Sequence, residues 1–303
     1  MARANPDGDA PAPAMVGAAE PATGPRSVAE FAPAKVNLTL HVLGRRPNGY
    51  HDLDSLVVFA DCGDRLTAVR ADSMGLTIDG PMAGGLAADE GNLVLRAARH
   101  LGVGPSHLHL TKNLPLASGV GGGSSDAAAA IRALCVLHGR ALPDAAALAT
   151  LGADVPVCLN PRPQRMRGLG ERVEPVGRLP DFWLVLVNPG VALATPAVFA
   201  ARGAGDDAPM PDRLPGWHDL AGLAAFLRTQ RNDLEPAALS LAPQVGAALA
   251  ALAAQRHCAI SRMSGSGATC FGLFPDAASA KFAATTIARD QHAWWVAAAP
   301  CLR

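Results

Sequence analysis

Pro115-Leu116-Ala117-Ser118-Gly119-Val120-Gly121-Gly122-Gly123-Ser124-Ser125-Asp126 runs without a break into Ala127-Ala128-Ala129-Ala130-Ile131-Arg132-Ala133-Leu134. Four glycines fall within the five residues 119–123. Without a Cβ they let the backbone adopt positive φ and lie close against a ligand. The alanine-rich run from Asp126 to Leu137, closed by Gly139, reads as a helix. Its first N–H groups have no partner inside the helix, and the positive end of its dipole faces the loop. An oligophosphate suits such a place. The plainer readings are a flexible linker or a cap made by Ser124 or Ser125, but a glycine loop abutting a strong helix is seldom only a linker.

Two other phosphate-binding templates fail on particular residues. A P-loop ends in Gly-Lys-Ser/Thr, and here the glycines run into Ser124-Ser125-Asp126 with no lysine. A dinucleotide loop needs GxGxxG directly after a first strand, whereas the third glycine position is Ser124 and the loop lies far along the chain. A dinucleotide-dependent oxidoreductase is weakened accordingly.

The 303 residues are enough for two packed domains. The division read from the sequence is a disordered tail over 1–27, one domain over 28–175 and a second over 176–303. The tail is rich in Ala, Pro and Gly, has no apolar core after a basic start, and carries Asp7, Asp9 and Glu20, which argues against a transit peptide. The 26 basic and 26 acidic residues cancel, and no Lys/Arg cluster matches a run of phosphates, so nucleic acid is not an expected partner. A small anionic substrate remains open. The six cysteines form no CxxC pair and read as free thiols of a cytoplasmic protein. Apolar stretches such as Val245 to Ala254 are too short to span a bilayer, so no membrane partner is expected.

From Lys35 to His41 polar and apolar residues alternate, the period of a half-buried strand. Val36, Leu38, Leu40 and Val42 are predicted to face the core, with Lys35 and Asn37 roughly 7 Å apart on the other face. Asn48-Gly49 signals a hairpin turn before a second strand at Leu56 to Phe59. A helix over 92–101, a strand over 107–111, a strand over 182–188 and a surface loop over 203–216 follow. Then come a helical stretch over 232–256, strands over 258–263 and 269–274 around Ser264-Gly265-Ser266-Gly267, and a last helix and strand. A hairpin first and no regular βαβ repeat favour an α+β fold over a doubly wound sheet.

The glycine loop resembles the central motif of the GHMP kinases, although Leu116-Ala117-Ser118 stand where relatives often carry more glycine. Ala32-Pro33-Ala34-Lys35-Val36-Asn37-Leu38 resembles that family's first motif and Met263-Ser264-Gly265-Ser266-Gly267-Ala268 its third, all in family order. The resemblance implies an N-terminal domain like ribosomal protein S5, a ferredoxin-like C-terminal domain and an active site in the cleft between them. It implies ATP held by Pro115 through Ser125, with Mg2+ bridging its phosphates, in which Ser124 or Ser125 could share; no carboxylate ligand can be named from spacing. Gly152-Ala153-Asp154-Val155-Pro156 sets one carboxylate among apolar neighbours before a proline. Alone, that is a common turn or cap aspartate. In the family this segment carries the catalytic aspartate, so the resemblance makes Asp154 the base and Lys35 its partner.

Tyr50, the one tyrosine in the chain, stands beside His51 just past the hairpin turn. An aromatic plane and an imidazole suit a nucleobase, with stacking worth roughly 1–3 kcal/mol; a tyrosine packed on the hairpin edge explains the pair equally well. Gly49-Tyr50-His51-Asp52-Leu53 resembles the cytosine-binding loop of the GHMP kinases that act on a CDP-linked methylerythritol. Asn188-Pro189-Gly190 with Thr195-Pro196-Ala197-Val198-Phe199 resembles the part of those enzymes that supplies a second aromatic. The resemblance implies cytosine between Tyr50 and Phe199, with Asn37, His51 and Thr195 as further substrate contacts. Asn232 and Glu235, in another segment typical of these enzymes, read as helix-start and packing residues. The implied reaction moves the ATP γ-phosphate to the 2-hydroxyl of CDP-methylerythritol, on the non-mevalonate route to isopentenyl diphosphate, in a monomer or weak homodimer. The alternatives are a GHMP kinase for mevalonate, homoserine or a sugar, which has no reason to carry Tyr50-His51, and a catalytically silent nucleotide-binding relative. Loss of Lys35 or Asp154 would mark the latter, and both are present.

Overall fold

The computed structural model describes residues 25–47, 49–203 and 208–303. The expected disordered tail lies outside these except at its end, and Asn48 of the expected turn lies outside them too. Strand β1 (Ser27–Asn37) and strand β2 (His41–Arg45) pair antiparallel with β3 (His51–Arg70). The turn between β2 and β3 closes through Arg46 N–H to the Tyr50 carbonyl at 2.7 Å. β3 runs far beyond the expected Leu56–Phe59, because separate neighbours satisfy each half of it. β4 (Gly75–Asp79) lies parallel to β5 (Ser106–Thr111), which pairs with the second half, and β6 (Gln164–Gly168), beside β7 (Arg172–Pro175), pairs with the first. Two helices, α1 (Leu93–Leu101) and α2 (Gly122–Leu137), cover this sheet. Ala129, Ala130 and Ala133 of α2 pack against Ala32, Leu66 and Leu108, the small side chains letting helix and sheet approach closely. A 3-10 turn (Ala145–Thr150) and the single turn α3 (Val155–Cys158) lead to β6.

The second sheet is antiparallel, in the order β11-β8-β10-β9, built from β8 (Trp183–Asn188), β9 (Ile260–Met263), β10 (Cys270–Phe274) and β11 (Trp295–Pro300). Between β8 and β9 come α4 (Thr195–Ala201), α5 (Leu220–Arg228), α6 (Glu235–Leu241) and α7 (Gln244–Ala253), and α8 (Ala277–Asp290) precedes β11. Val185 and Val187 face Val245 and Ala248 of α7 and Ala283 and Ile287 of α8. Leu184 and Leu186, on the other face, join Val36, Leu38 and Val58 of the first sheet in one core. Each fully buried Leu or Val here contributes about 1.5–3 kcal/mol, so the two sheets are held together by apolar burial. The six cysteines are free thiols.

Three expectations change. Lys35 and Asn37 are as buried as Val36 and Leu38, so this end of β1 is covered on both faces, with Val120 of the glycine loop and Asp154 meeting Lys35. The stretch 232–256 is two helices, parted at Ala242-Pro243, where proline cannot donate to a continuing helix. Helix α2 begins at Gly122 rather than Asp126, with Gly121 at φ 63° as its cap. The last two glycines of the loop therefore belong to the helix's first turn.

Candidate active site

The two glycine turns meet. Gly119 (φ 78°) lies so close to the β9–β10 loop that a Cβ on it would sit 2.3 Å from the Ser264 carbonyl, and one on Gly265 (φ 58°) would sit 2.8 Å from the Gly119 carbonyl. Ser264 Oγ donates to the Gly119 carbonyl at 2.9 Å and accepts from the Asn37 N–H at 3.1 Å. Thr269 N–H reaches the Ser118 carbonyl at 3.0 Å, and Lys35 N–H the Val120 carbonyl at 2.9 Å. Three chain segments far apart in sequence are thus laced edge to edge around a cleft of about 660 Å³.

Lys35 Nζ stands 2.8 Å from Asp154 Oδ2 at this cleft, the lysine 3% exposed and the aspartate 32%. Asp154 precedes α3, yet its side chain makes no capping bond and turns to the ammonium instead. That disposes of the cap reading. Lys35 also donates to Asn37 Oδ1 at 2.9 Å. A Cβ on Gly121 would be 3.1 Å from Lys35 Cε, so the absence of a side chain there leaves room for the lysine stem.

Pro115 to Gly119 and Gly121 to Ser124 line the cleft, with the free N–H groups of α2 at Gly122 to Ser124. Ala117 is held at φ 47°, a conformation that costs a non-glycine residue roughly 1–2 kcal/mol. Two expected contacts differ. The Val120 side chain is buried in the core between the sheets, and the Ser125 hydroxyl donates to the Pro33 carbonyl at 2.8 Å, tying α2 to β1.

Beneath the loop lies a buried triad that the sequence reading missed. Lys112 Nζ is 2.5 Å from Asp64 Oδ2 and 2.7 Å from Asp126 Oδ2. The other oxygen of Asp64 accepts from the N–H groups of Asn113 and Leu114, at 2.5 and 2.9 Å. Burial pushes the Asp126 carboxyl up to about 8, against the pull of Lys112 and with Asp64 adding to the rise. One ammonium can balance only one of two carboxylates, which fits a proton retained on Asp126 below about pH 8; among the described atoms, Asp126 Oδ1 has no hydrogen-bond partner. No local pattern in the sequence marks these three residues as partners.

On the far side of the cleft, Thr195 Oγ1 meets Ser266 Oγ at 2.8 Å, and Thr195 and Phe199 line the wall. The Phe199 ring stacks on His51 with centroids 4.9 Å apart and planes 21° apart. Residues alternate sides along an extended chain: His51 is turned to Phe199, and Tyr50, the other expected aromatic contact, is 65% exposed. Asn232 and Glu235 are the packing residues expected. Asn232 Nδ2 donates to the carbonyls of Met263 and Gly265, both at 2.9 Å, and Glu235 Oε2 accepts from Met263 N–H at 2.8 Å.

No group of three or more His, Cys, Asp or Glu among the described residues could hold a metal ion. Ser124 lines the cleft, but Ser125 is engaged elsewhere. Such a lining fits magnesium carried by nucleotide phosphates and water, its usual manner of binding. No described helix is long and apolar enough to cross a membrane.

Two stacked α+β units around a glycine-lined cleft with a Lys–Asp pair define the class as a GHMP kinase. The model of the GHMP kinase N-terminal domain matches residues 92–160, and that of the C-terminal domain matches 214–292. Within that class the chain belongs to the 4-diphosphocytidyl-2-C-methyl-D-erythritol kinase family. It is 58% identical over 270 residues to the protein of that name from Cereibacter sphaeroides, covering 89% of this chain and 97% of the relative. The namesake from Parvibaculum lavamentivorans is 51% identical over 284 residues, with 89% and 96% covered. A crystal structure of 4-(cytidine 5'-diphospho)-2C-methyl-D-erythritol kinase superimposes with a TM-score of 0.70 at 34% identity, over 90% of this chain and 99% of that one.

Proposed function

We propose that the chain transfers the γ-phosphoryl group of ATP to the 2-hydroxyl of 4-diphosphocytidyl-2-C-methyl-D-erythritol, releasing ADP, with Asp154 as base and Lys35 as its partner. The observation that carries this reading is the Lys35–Asp154 pair, 2.8 Å apart, at a cleft where two glycine turns interlock. The phosphates lie over Gly121 to Ser124, where the N–H groups and dipole of α2 favour negative charge. The acceptor hydroxyl lies against Asp154; as its oxygen bonds to phosphorus and the bond to ADP breaks, its proton passes to the carboxylate. Lys35 steadies charge on the transferring group, and positioning with charge stabilisation supplies most of the rate in a loose transition state. Magnesium held by the phosphates and water, with Ser124 on the cleft wall as a residue that could share in holding it, would neutralise their charge. Names of relatives 51–58% identical over most of the chain support the substrate, and the Phe199–His51 stack supplies an aromatic surface for cytosine.

A coupled ADP-release assay tests the reading. Turnover is expected with CDP-methylerythritol and not with mevalonate or homoserine. Asp154→Asn should lose about 10²–10⁴ in kcat with little change in nucleotide affinity, and equal turnover in the two proteins would remove Asp154 from the mechanism.

A further inference from the structure

Behind Asn37 lies a residue that touches neither the cleft nor the Lys35–Asp154 pair. Asn37 Nδ2 donates to Ser55 Oγ at 2.8 Å, and Ser55 Oγ itself donates to the Thr39 carbonyl at 2.5 Å. Ser55 lies in β3 and is fully buried. A carboxamide has nearly the same shape either way round, so packing alone does not decide which end faces Lys35. Chemistry decides it. With Oδ1 toward Lys35 the amide accepts the ammonium's hydrogen; with Nδ2 there, two donors would face each other in a buried place. A serine hydroxyl has one hydrogen. The Thr39 carbonyl, which can only accept, takes it, so toward Asn37 the Ser55 oxygen presents lone pairs alone. Thr39 is fixed in turn by its own hydroxyl, which accepts from Leu56 N–H at 2.9 Å. Donor follows acceptor in one direction from Thr39 through Ser55 and Asn37 to Lys35.

We propose that Ser55 is a positioning residue for phosphoryl transfer: its hydroxyl, committed to the Thr39 carbonyl, orients the Asn37 amide so that its oxygen holds the Lys35 ammonium in place beside Asp154. This rests on the roles proposed above for Lys35 and Asp154. Without the hydroxyl, Asn37 Nδ2 loses its acceptor, the amide is free to turn, and the ammonium loses the partner that fixes its position.

Threonine and valine have the same shape and differ here only in the hydroxyl, so the test compares Ser55→Thr with Ser55→Val. The threonine variant should keep kcat within about twofold of wild type, and the valine variant should lose roughly tenfold in kcat, with KM for MgATP unchanged in both. Equal rates in the two, high or low, overturn the proposal. Adding Ser55→Val to Asn37→Ala should cause no further loss, since Ser55 acts through Asn37; a double variant slowed by the product of the two separate losses overturns it as well. Asp154→Asn runs alongside. If it keeps full turnover, the base assignment falls and this proposal with it; if it is inactive while Ser55→Val matches Ser55→Thr, only Ser55 is removed.

Discussion

Lys112 stands just before the glycine loop and Asp126 just after it, and their side chains meet at 2.7 Å beneath it, closing residues 113–125 into a clasped ring. Asp64, on β3, anchors the same ring through Lys112 and through the N–H groups of Asn113 and Leu114. The glycine loop is therefore held in shape by ionic contacts, two members of which, Lys112 and Asp126, also line the cleft.

Lys112→Met should unfold the protein more easily and raise KM for MgATP. Methionine fills much of the lysine's volume but leaves two carboxylates without their cation, and removing one member of a buried ion group costs about 3–5 kcal/mol. Urea denaturation and initial-rate kinetics read the two effects. A variant as stable as wild type with the same KM would show the clasp to be idle.

The same triad sets a pH dependence. Burial raises the Asp126 carboxyl to about 8, far above its value in the unfolded chain. The folded state therefore binds the extra proton across the interval between the two values. That contribution to stability is complete below the unfolded pKa and is lost as pH rises through about 8. Asp126→Asn removes the titration and keeps the shape. The wild type should weaken relative to Asp126→Asn as pH is raised from about 5 to about 9, measured as urea midpoints. A constant difference between the two proteins would contradict the assignment.

The aromatic wall makes a separate claim. His51, not Tyr50, holds the Phe199 ring, with centroids 4.9 Å apart; such a contact is worth about 0.5–1.5 kcal/mol. His51→Ala should raise KM for the cytidine substrate by roughly threefold to tenfold and leave KM for MgATP unchanged. If Tyr50→Ala does this and His51→Ala does not, the base is held by Tyr50 and the observed stack is incidental.

What was legible in the sequence follows from how each feature is encoded. Gly119, Gly121 and Gly265 carry a backbone requirement in their own identity, so the loops could be read directly, and the order of the motifs carried the Lys35–Asp154 pair, 119 residues apart. The Asp64–Lys112 contact joins residues 48 apart, and no local period marks such a meeting. The burial of Lys35 was illegible for the same reason, because what covers β1 arrives from residues 115–124 and 153–154. The length of β3 was hidden by its dependence on four different partner strands. Helix α2 was misjudged by one turn because glycine is a poor helix former, whereas here Gly122 and Gly123 open the helix so that the cleft wall beside them stays bare.

That last point separates two kinds of glycine by experiment. At Gly119 an added Cβ would strike backbone atoms of Ser264 and Gly267 at 2.3–2.9 Å, and the positive φ adds strain. Gly119→Ala should therefore destabilise the fold by more than about 1–2 kcal/mol and abolish turnover together with it. At Gly123 the Cβ would meet only Leu93 Cδ1 at 3.4 Å, and the residue is exposed in the first turn of α2. Alanine there should leave stability equal or up to about 1 kcal/mol higher, while its methyl group, set on the cleft wall, raises KM for MgATP. Melting temperatures and KM values for the two variants decide the matter. A Gly123→Ala enzyme with wild-type affinity for nucleotide would place the phosphates elsewhere than over the start of α2.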